Sequence, residues 1–329
     1  MGRMNIVVTD GYTLNPGDNP WDQIESLGAL RVYDRTAPGE LIDRCRDADI
    51  LIVNKTLVRE PSLEQMPSLR YITLTATGYD VVDVAAAGRR GIPVSNVPIY
   101  GTDSVAQYVF SAVLHLCHNI SEHDAAVKAG EWTRNPDWSF WKRPLVELAG
   151  KTLGVVGFGR IGRRVGELAH LFGMSVLAYD TYRGAEPGYS PFAWSSLEDL
   201  FAGSDIVSLH CPLTKDNHAF VNRELLGLMR PSAILVNASR GPLVNEGDLA
   251  AALNAGKLAA AAVDVVSVEP IRPENPLLSA RNLVITPHLA WATLEARQRL
   301  MTTTADNVRA FQAGAPQNVV NQSHLKAGG

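Results

Sequence analysis

Short apolar segments alternate with longer amphipathic segments along the whole chain, a pattern typical of α/β proteins with parallel sheets. The first third contains five apolar segments of strand length, at residues 6–8, 30–32, 50–53, 71–74 and 93–95. This spacing predicts a small doubly wound domain formed by the first part of the chain.

A second array of strand-length segments begins after Gly150. Its six members lie at residues 153–156, 176–179, 206–209, 234–236, 261–263 and 283–285. Six parallel strands with helices between them match a Rossmann sheet, so we expect a second α/β domain here.

Two long amphipathic segments predict long helices. Residues 104–118 have apolar side chains at helical spacing. Residues 293–311 predict another helix, and since nothing strand-like surrounds it, we expect it to cross back to the first domain. The expected domains are therefore 1–101 with 291–329, and 102–290. The tail from residue 317 has little patterning and is expected to be loosely ordered.

The composition is that of an ordinary folded protein of about two domains. The chain has 329 residues, of which 46% are hydrophobic and 19% charged, and its net charge is −4. Because there is no basic excess, nucleic acid is not expected as a partner. The first residues lead into a strand without a signal-peptide pattern, and the most apolar run, at 258–266, is too short to span a bilayer.

The cysteine and histidine residues do not have the pattern of a metal site. Cys45, Cys117 and Cys211 are few and widely spaced, which fits neither a disulfide framework nor zinc and favours a reducing cytoplasm. His115 and His118 have a helical spacing that could bind a metal, but no partner ligands stand near them. We therefore expect surface or interface histidines and no metal.

The most informative motif is the glycine-rich segment at 152–162, Thr-Leu-Gly-Val-Val-Gly-Phe-Gly-Arg-Ile-Gly. It predicts a tight turn at Gly157, a close backbone approach to a pyrophosphate at Gly159, and close helix–strand packing at Gly162. A second strand ends in Asp180, about twenty residues past the first glycine, where an acid can accept hydrogen bonds from an adenosine ribose. The motif indicates dinucleotide binding; the alternative is a glycine turn that serves packing alone.

Polar residues that directly follow strands of the second array form the candidate site, because open α/β sheets bind ligands beyond the carboxyl ends of their strands. These residues are Asp180, His210, Cys211, Arg240, Asp264 and His288. A guanidinium can hold a carboxylate with two parallel hydrogen bonds, and an imidazole can transfer a proton near neutral pH. Glu269 could reach the imidazole of His288 and favour its protonated form.

Together these groups suit hydride transfer between a nicotinamide cofactor and a 2-keto acid. Each of them also has a simpler interpretation. Arg240 could be a surface arginine paired with an acid, His288 a capping histidine beside Pro287, and Glu269 an ordinary loop residue before a proline.

Several motifs in order make the chain resemble the D-2-hydroxyacid dehydrogenases over nearly its whole length. They are Ala-Thr-Gly-Tyr-Asp at 76–80, Tyr-Gly-Thr-Asp-Ser-Val-Ala-Gln at 100–107, the glycine-rich segment, and residues 236–241, 264–270 and 286–293. Within this family the chain is most similar to the glycerate dehydrogenases, also called hydroxypyruvate reductases. The resemblance implies two doubly wound domains, a flavodoxin-like substrate domain and a Rossmann NAD-binding domain, with a cleft between them.

The resemblance also implies a role for each candidate residue. Arg240 would bind and polarise the substrate, His288 would be the general acid/base, and Glu269 would tune His288. The residues implied at the cofactor are Thr77, Val105, Gly157, Gly159, Arg160, Ile161, Gly162, Asp180, Cys211, Ala238 and Asp264. Those implied at the substrate are Lys55, Thr77, Gly78, Arg240, His288 and Trp141.

The cofactor implied is NAD, because Asp180 would repel the 2′-phosphate of NADP(H); Arg183 could soften that preference. Family members pair as dimers near the long helix, so a homodimer is expected. The aromatic residues just past that helix could anchor the dimer, and a tryptophan among them could cap the neighbour's active site. These aromatic residues are Trp132, Trp138, Phe140 and Trp141.

The activity implied is the NAD(H)-dependent reduction of hydroxypyruvate to D-glycerate, and of glyoxylate to glycolate. One alternative is a dehydrogenase of the same family that acts on phosphoglycerate, D-lactate or a bulkier keto acid. The other is an NAD(H)-sensing binding protein similar to the C-terminal binding corepressors, which retain the same Arg, Glu and His. The chain has no basic run and no recognisable peptide-binding or nuclear-targeting feature, which favours the enzyme.

Overall fold

The computed structural model describes residues 3–325 and divides into two compact units. Unit 1 is formed by the chain up to Gly101 together with the chain from Ala292 onward, and unit 2 by Thr102–Trp291. The sequence-based boundary at 290/291 lies one residue earlier than this division.

Residues 3–325 form β-strands and α-helices that mostly alternate along the chain. The strands are β1 (Asn5–Val8), β2 (Ala29–Val32), β3 (Ile50–Val53), β4 (Tyr71–Leu74), β5 (Val94–Ser95), β6 (Thr152–Val156), β7 (Ser175–Tyr179), β8 (Phe192–Trp194), β9 (Ile206–Leu209), β10 (Ile234–Asn237), β11 (Ala260–Val263) and β12 (Leu283–Ile285). The helices are α1 (Asp22–Glu25), α2 (Leu41–Cys45), α3 (Glu60–Glu64), α4 (Val84–Arg89), α5 (Thr102–His118), α6 (Ile120–Lys128), α7 (Arg160–Leu171), α8 (Leu197–Gly203), α9 (Arg223–Leu228), α10 (Glu246–Asn254) and α11 (Leu294–Gln312). Short 3-10 turns lie at Pro38–Glu40, Gly241–Leu243, Pro276–Ser279 and Gln322–His324.

The sheet of unit 1 is parallel and has the order β2-β1-β3-β4-β5. This is the flavodoxin-like order, in which the chain changes direction across the sheet between β1 and β3. The central strands β3 and β4 are buried along their whole length. Parallel strands covered on both faces read as unbroken apolar runs, which is why the sequence pattern reveals them.

Helix α11 packs within unit 1. Near its end, Phe311 stacks on Tyr71 of β4, with the ring centroids 4.4 Å apart. Near its start, Arg297 forms a two-pronged ion pair with Asp18, at 2.5 and 2.7 Å. The Arg297 side chain is only 9% exposed. Contacts at both ends therefore fix the helix on this unit.

The expectation of a loosely ordered tail from residue 317 is wrong for residues 317–325. Val319 pairs with Ser95 at the edge of the sheet. Asn321 is buried; its side-chain oxygen accepts the Val94 N–H at 2.9 Å and its amide donates to the Ile92 carbonyl at 3.0 Å. One asparagine thus satisfies backbone groups in the edge strand β5 and just before it. Residues 326–329 lie outside the described residues.

The sheet of unit 2 is parallel and has the order β12-β11-β10-β9-β6-β7-β8. The chain changes direction between β6 and β9, and α/β sheets bind ligands at such a switch point. Apolar side chains of α5 and α7 cover one face, and those of α8, α9 and α10 cover the other. Unit 2 is therefore a Rossmann fold with a hydrophobic core on each side of its sheet.

The seventh strand of this sheet, β8, was missed by the sequence pattern, which indicated six. Its three residues are not fully buried and are too few to give a periodic signal. Phe192 and Trp194 lie edge-to-face, with centroids 5.5 Å apart, and both contact the ring of Phe158 in the glycine-rich loop. Aromatic contacts with a segment distant in sequence therefore stabilise β8.

Residues 3–325 contain neither a membrane-spanning helix nor a cluster of metal ligands. No helix there is long and apolar enough to cross a membrane. No group of three His, Cys, Asp or Glu side chains is arranged to hold a metal ion.

Candidate active site

The glycine-rich loop joins β6 to α7. Gly157 has a φ of +93°, which favours glycine, and a Cβ there would overlap the backbone of Cys211. A Cβ at Gly162 would overlap the Gly157 carbonyl oxygen, so helix and strand pack closely. At Gly159, the N-cap of α7, a Cβ would meet no atom within 4 Å. This open space lies at the first turn of α7, where the N–H groups of a helix N-terminus can bind a pyrophosphate.

Asp180 lies just beyond β7 and braces this loop. Its Oδ2 accepts the Phe158 N–H at 2.7 Å, and its Oδ1 accepts the Tyr182 N–H at 3.1 Å. The carboxylate is thus held where dinucleotide-binding folds bind the adenosine ribose. The Arg183 guanidinium lies 6.0 Å from the centre of the Trp194 ring.

His210 and Cys211 follow β9, but their side chains do not suit acid/base or nucleophilic chemistry. Burial lowers the pKa of His210 to about 3, and its Nε2 lies 2.8 Å from Ser208 Oγ. Burial raises the pKa of the Cys211 thiol to about 11, so the thiol stays protonated. The Ser239 hydroxyl donates to the Cys211 carbonyl at 2.6 Å and links the loops after β9 and β10. Ala238, directly after β10, packs partly buried against the core.

Arg240 follows β10 in an extended conformation, and its side chain is exposed. Asn237, which is buried, donates from its amide to the Arg240 carbonyl at 3.0 Å and fixes the main chain. The Arg240 Nη1 donates to the Ser239 carbonyl at 2.8 Å. This contact uses one of the five guanidinium N–H donors, so the planar fork can still take a carboxylate.

His288 and Glu269 are hydrogen-bonded to each other. His288 Nδ1 lies 2.7 Å from Glu269 Oε2, and the side chains are 28% and 34% exposed. Glu269 Oε1 accepts the Val266 N–H at 3.4 Å. The Trp291 indole donates to the His288 carbonyl at 2.9 Å. Because Nδ1 is engaged, Nε2 is the ring nitrogen that can exchange a proton with a ligand.

The backbone of His288 is left-handed, with a φ of +53°, which is strained for a residue other than glycine. Asp264 holds this turn in shape. Its carbonyl accepts the His288 N–H at 2.8 Å, and its carboxylate accepts the N–H groups of Leu289 and Ala290 at 2.9 and 2.8 Å. Asp264 is only 1% exposed. Its carboxylate therefore has a structural role beside the predicted contact with the cofactor.

Thr286 and Tyr108 extend this network and were not singled out from the sequence. The Thr286 hydroxyl lies 2.6 Å from Asp264 Oδ1 and 2.6 Å from the Tyr108 hydroxyl. Because it donates its single proton to Asp264, it accepts from Tyr108. Burial raises the pKa of Asp264, and it raises that of Tyr108 to about 12. Thr286 could have been found as a polar residue directly after a strand, whereas Tyr108, 178 residues away, gives no such signal.

Arg240, Glu269 and His288 follow three neighbouring parallel strands, β10, β11 and β12. The carboxyl ends of parallel neighbours lie on the same edge of a sheet. The fold therefore brings a guanidinium and an imidazole–carboxylate pair to one edge of unit 2.

Lys55, Thr77 and Gly78 belong to unit 1. Lys55 follows β3 and Thr77 follows the adjacent strand β4, so both lie at the carboxyl edge of that sheet. Asp10 Oδ2 accepts the Lys55 N–H at 2.5 Å, and the Thr77 hydroxyl donates to the Val97 carbonyl at 2.8 Å. Their contacts with substrate and cofactor stay predictions.

The aromatic residues singled out from the sequence lie after α6. Trp138 and Trp141 are 89% and 65% exposed, and the Trp132 indole donates to the Trp138 carbonyl at 3.0 Å. Phe140 is partly buried. Val105, on α5, is 7% exposed. The roles predicted for these side chains stay predictions.

Comparison with known proteins gave three related findings. Residues 110–290 match the family described as D-isomer specific 2-hydroxyacid dehydrogenase, NAD binding domain. The chain is 48% identical over 322 residues to the hydroxypyruvate reductase of Blautia hydrogenotrophica, covering 97% of this chain and 100% of the relative. It is 39% identical over 291 residues to the glycerate dehydrogenase of Methylorubrum extorquens, with 88% and 90% covered.

A solved structure is similar over the whole chain. It is an NADPH-dependent glyoxylate/hydroxypyruvate reductase from Sinorhizobium meliloti in complex with NADP and malonate. The TM-score is 0.81 at 28% identity, with 100% of both chains covered.

Proposed function

Because the chain belongs to the D-isomer-specific 2-hydroxyacid dehydrogenases, we propose that it reduces hydroxypyruvate to D-glycerate with NADH. Glyoxylate, which has the same keto-acid group, would be reduced to glycolate. The enzyme is an oxidoreductase with the NAD-binding domain of this family. The substrate assignment is supported by relatives named hydroxypyruvate reductase and glycerate dehydrogenase.

The observation that carries the proposal is the 2.7 Å contact between His288 Nδ1 and Glu269 Oε2. It orients the ring, while Nε2 stays available to exchange a proton with a ligand. A capping histidine would not need a carboxylate at this distance. The pair therefore supports a proton-transfer role over the simpler interpretation.

The reaction needs a hydride at C2 and a proton at the carbonyl oxygen of the keto acid. The loop with Gly157, Gly159 and Gly162, together with Asp180, would hold NADH, which would supply the hydride. His288 gives the proton from Nε2. Arg240 binds the substrate carboxylate, and its charge stabilises the negative charge that develops on the carbonyl oxygen.

We propose a preference for NAD(H) over NADP(H). The Asp180 carboxylate, fixed by the Phe158 and Tyr182 N–H groups, adds a negative charge that disfavours a 2′-phosphate. Arg183 donates to the Ser195 carbonyl at 3.4 Å and lies over Trp194. These contacts use few of its five N–H donors, so Arg183 is the residue that could soften this preference.

Steady-state turnover of a panel of 2-keto acids, run with NADH and NADPH side by side, tests both assignments. We expect the highest kcat/KM with hydroxypyruvate and NADH, and measurable turnover of glyoxylate. A higher kcat/KM with pyruvate, phosphohydroxypyruvate or a bulky keto acid would overturn the assignment of hydroxypyruvate as the substrate. A higher value with NADPH would overturn the cofactor preference, and NADH binding without turnover of any keto acid would favour a binding protein.

We further propose that the chain forms a homodimer through the face of unit 2 beside α5. A cavity of about 740 Å³ opens there between the end of α5 and the amino ends of β9 to β12, with Leu116, Val146 and Val284 in its lining. The exposed Trp138 and Trp141 follow α6 in the chain. Open apolar surface and exposed tryptophan are common features of protein interfaces.

The molar mass of the protein in solution tests the proposed homodimer. Light scattering should give twice the mass of the chain. The double substitution Trp138→Ala/Trp141→Ala should increase the monomer fraction at low concentration. A wild-type protein that stays monomeric at micromolar concentration would contradict the proposal.

We also propose a cytoplasmic location. Cys45, Cys117 and Cys211 are free thiols, as a reducing compartment would keep them.

A further inference from the structure

One carboxylate, that of Glu246, closes the loop that carries Glu269. Glu246 is the first residue of α10. Its Oε1 accepts the Ser267 N–H at 2.7 Å, and its Oε2 accepts the Ser267 hydroxyl at 2.7 Å and the Asn275 amide at 2.9 Å. Ser267 and Asn275 stand on either side of residues 268–274, so the carboxylate joins the two ends of that loop.

The loop between these ends depends on such contacts for its position. Residues 268–274 form no helix or strand, and most of their side chains are exposed. Ile271 is partly buried against the core. Burial of apolar surface therefore contributes little to fixing Glu269, and an irregular exposed segment loses much conformational freedom when it is fixed.

The Glu246 carboxylate also holds the loop after β11 close to the loop after β10. A Cβ at Gly241 would overlap the main chain of Val266, so the two loops are in direct backbone contact. Arg240 precedes this contact, and Glu246 follows it in the chain. The start of the loop that contains Glu269 is therefore held both by this backbone contact and by the Glu246 carboxylate.

We propose that Glu246 is a positioning residue for the acid/base pair, which keeps Glu269 within hydrogen-bonding distance of His288 by joining Ser267 to Asn275. Glu246 acts through Glu269 and does not itself contact the substrate. The inference rests on the proposed function, because it takes the pair to be the proton donor in keto-acid reduction.

The substitution Glu246→Gln tests the role of the hydrogen bonds that Glu246 accepts from Ser267 and Asn275, with little change in side-chain shape. The glutamine amide nitrogen cannot accept a hydrogen bond, so at least one of the three bonds is lost. Weakening hydrogen bonds to a charged group should lower kcat by about tenfold, with the KM for NADH nearly unchanged. The matched control is Asp248→Asn, on the same helix, whose carboxylate accepts the Arg223 N–H at 3.0 Å and does not touch the loop. The control should keep wild-type kcat.

A second comparison separates positioning from a general structural role. In a Glu269→Ala background there is no carboxylate to position, so Glu246→Gln should cause no further loss of kcat. Ser267→Ala, which removes one of the three bonds, should show a smaller loss with the same dependence on Glu269. A loss of equal size in both backgrounds would overturn the proposal.

Hydrogen–deuterium exchange of the cofactor-free protein gives a readout that does not depend on turnover. Exchange in peptides that cover residues 266–277 should be faster in Glu246→Gln and unchanged in Asp248→Asn; unchanged exchange in both would overturn the proposal. The kinetic comparison uses whichever 2-keto acid the wild type reduces best. If the wild type reduces other keto acids but not hydroxypyruvate, the substrate assignment is wrong and the proposal for Glu246 still stands. A wild type that reduces no keto acid would overturn both the proposed function and the role of Glu246.

Discussion

Replacing Arg240 by lysine is expected to lower kcat/KM for hydroxypyruvate by about 100- to 1000-fold, the loss typical of removing a group that stabilises developing negative charge. Lysine keeps the positive charge but cannot give two parallel hydrogen bonds to a carboxylate. NADH binding should be retained, because the glycine-rich loop and Asp180 are untouched. Steady-state kinetics with varied keto acid, together with an NADH titration, measures both effects.

The control for this substitution is Arg230→Lys. Arg230 pairs with Asp205 at 3.2 Å. Asp205 directly precedes β9, so this pair lies at the amino edge of the sheet, opposite the edge where Arg240 lies. The Arg230→Lys variant should keep the wild-type kcat and KM. If Arg240→Lys also kept wild-type kcat/KM, the guanidinium would have no part in binding or polarising the substrate.

Replacing His288 by asparagine is expected to lower kcat by about 10²- to 10⁴-fold, the usual contribution of a general acid. Asparagine is chosen because it tolerates the left-handed backbone that the structure has at this position. The variant should also lose the part of the pH–rate profile that is due to protonation of this imidazole. Stopped-flow oxidation of bound NADH across a pH series would measure both.

His324→Asn, at an exposed histidine of unit 1, is the matched control and should leave the rate unchanged. A wild-type rate and pH profile in His288→Asn would remove the imidazole from the mechanism. In that case the contact between His288 and Glu269 would serve only to hold the turn after β12.

Much of the fold could be predicted because parallel strands buried on both faces leave long apolar runs in the sequence. The candidate residues could be predicted for a related reason. Arg240 and His288 each follow a strand closely, so knowing the strands was enough to locate both residues at one edge of the sheet. Glu269 lies farther along its loop, so its position indicated only that it could reach His288, and the resemblance to a family implied the same role.

What the sequence could not predict are contacts between residues far apart in the chain. The hydrogen bond that links Tyr108 to Thr286 joins α5 to the turn before His288, and the ion pair of Arg297 with Asp18 spans 279 positions. Such pairs have no periodic signal. Asn321 was missed for the same reason. Its buried side-chain amide orders residues 317–325, whose sequence has too little hydrophobic patterning to predict a structure.

Binding of oxamate, an unreactive analogue of a 2-keto acid, most directly tests whether Arg240 and His288 face one ligand. Quenching of bound NADH fluorescence would report its Kd for the enzyme–NADH complex. We predict saturable binding to the wild type, and weaker oxamate binding in both Arg240→Lys and His288→Asn with the Kd for NADH unchanged. Wild-type affinity for oxamate in either variant would contradict the shared site.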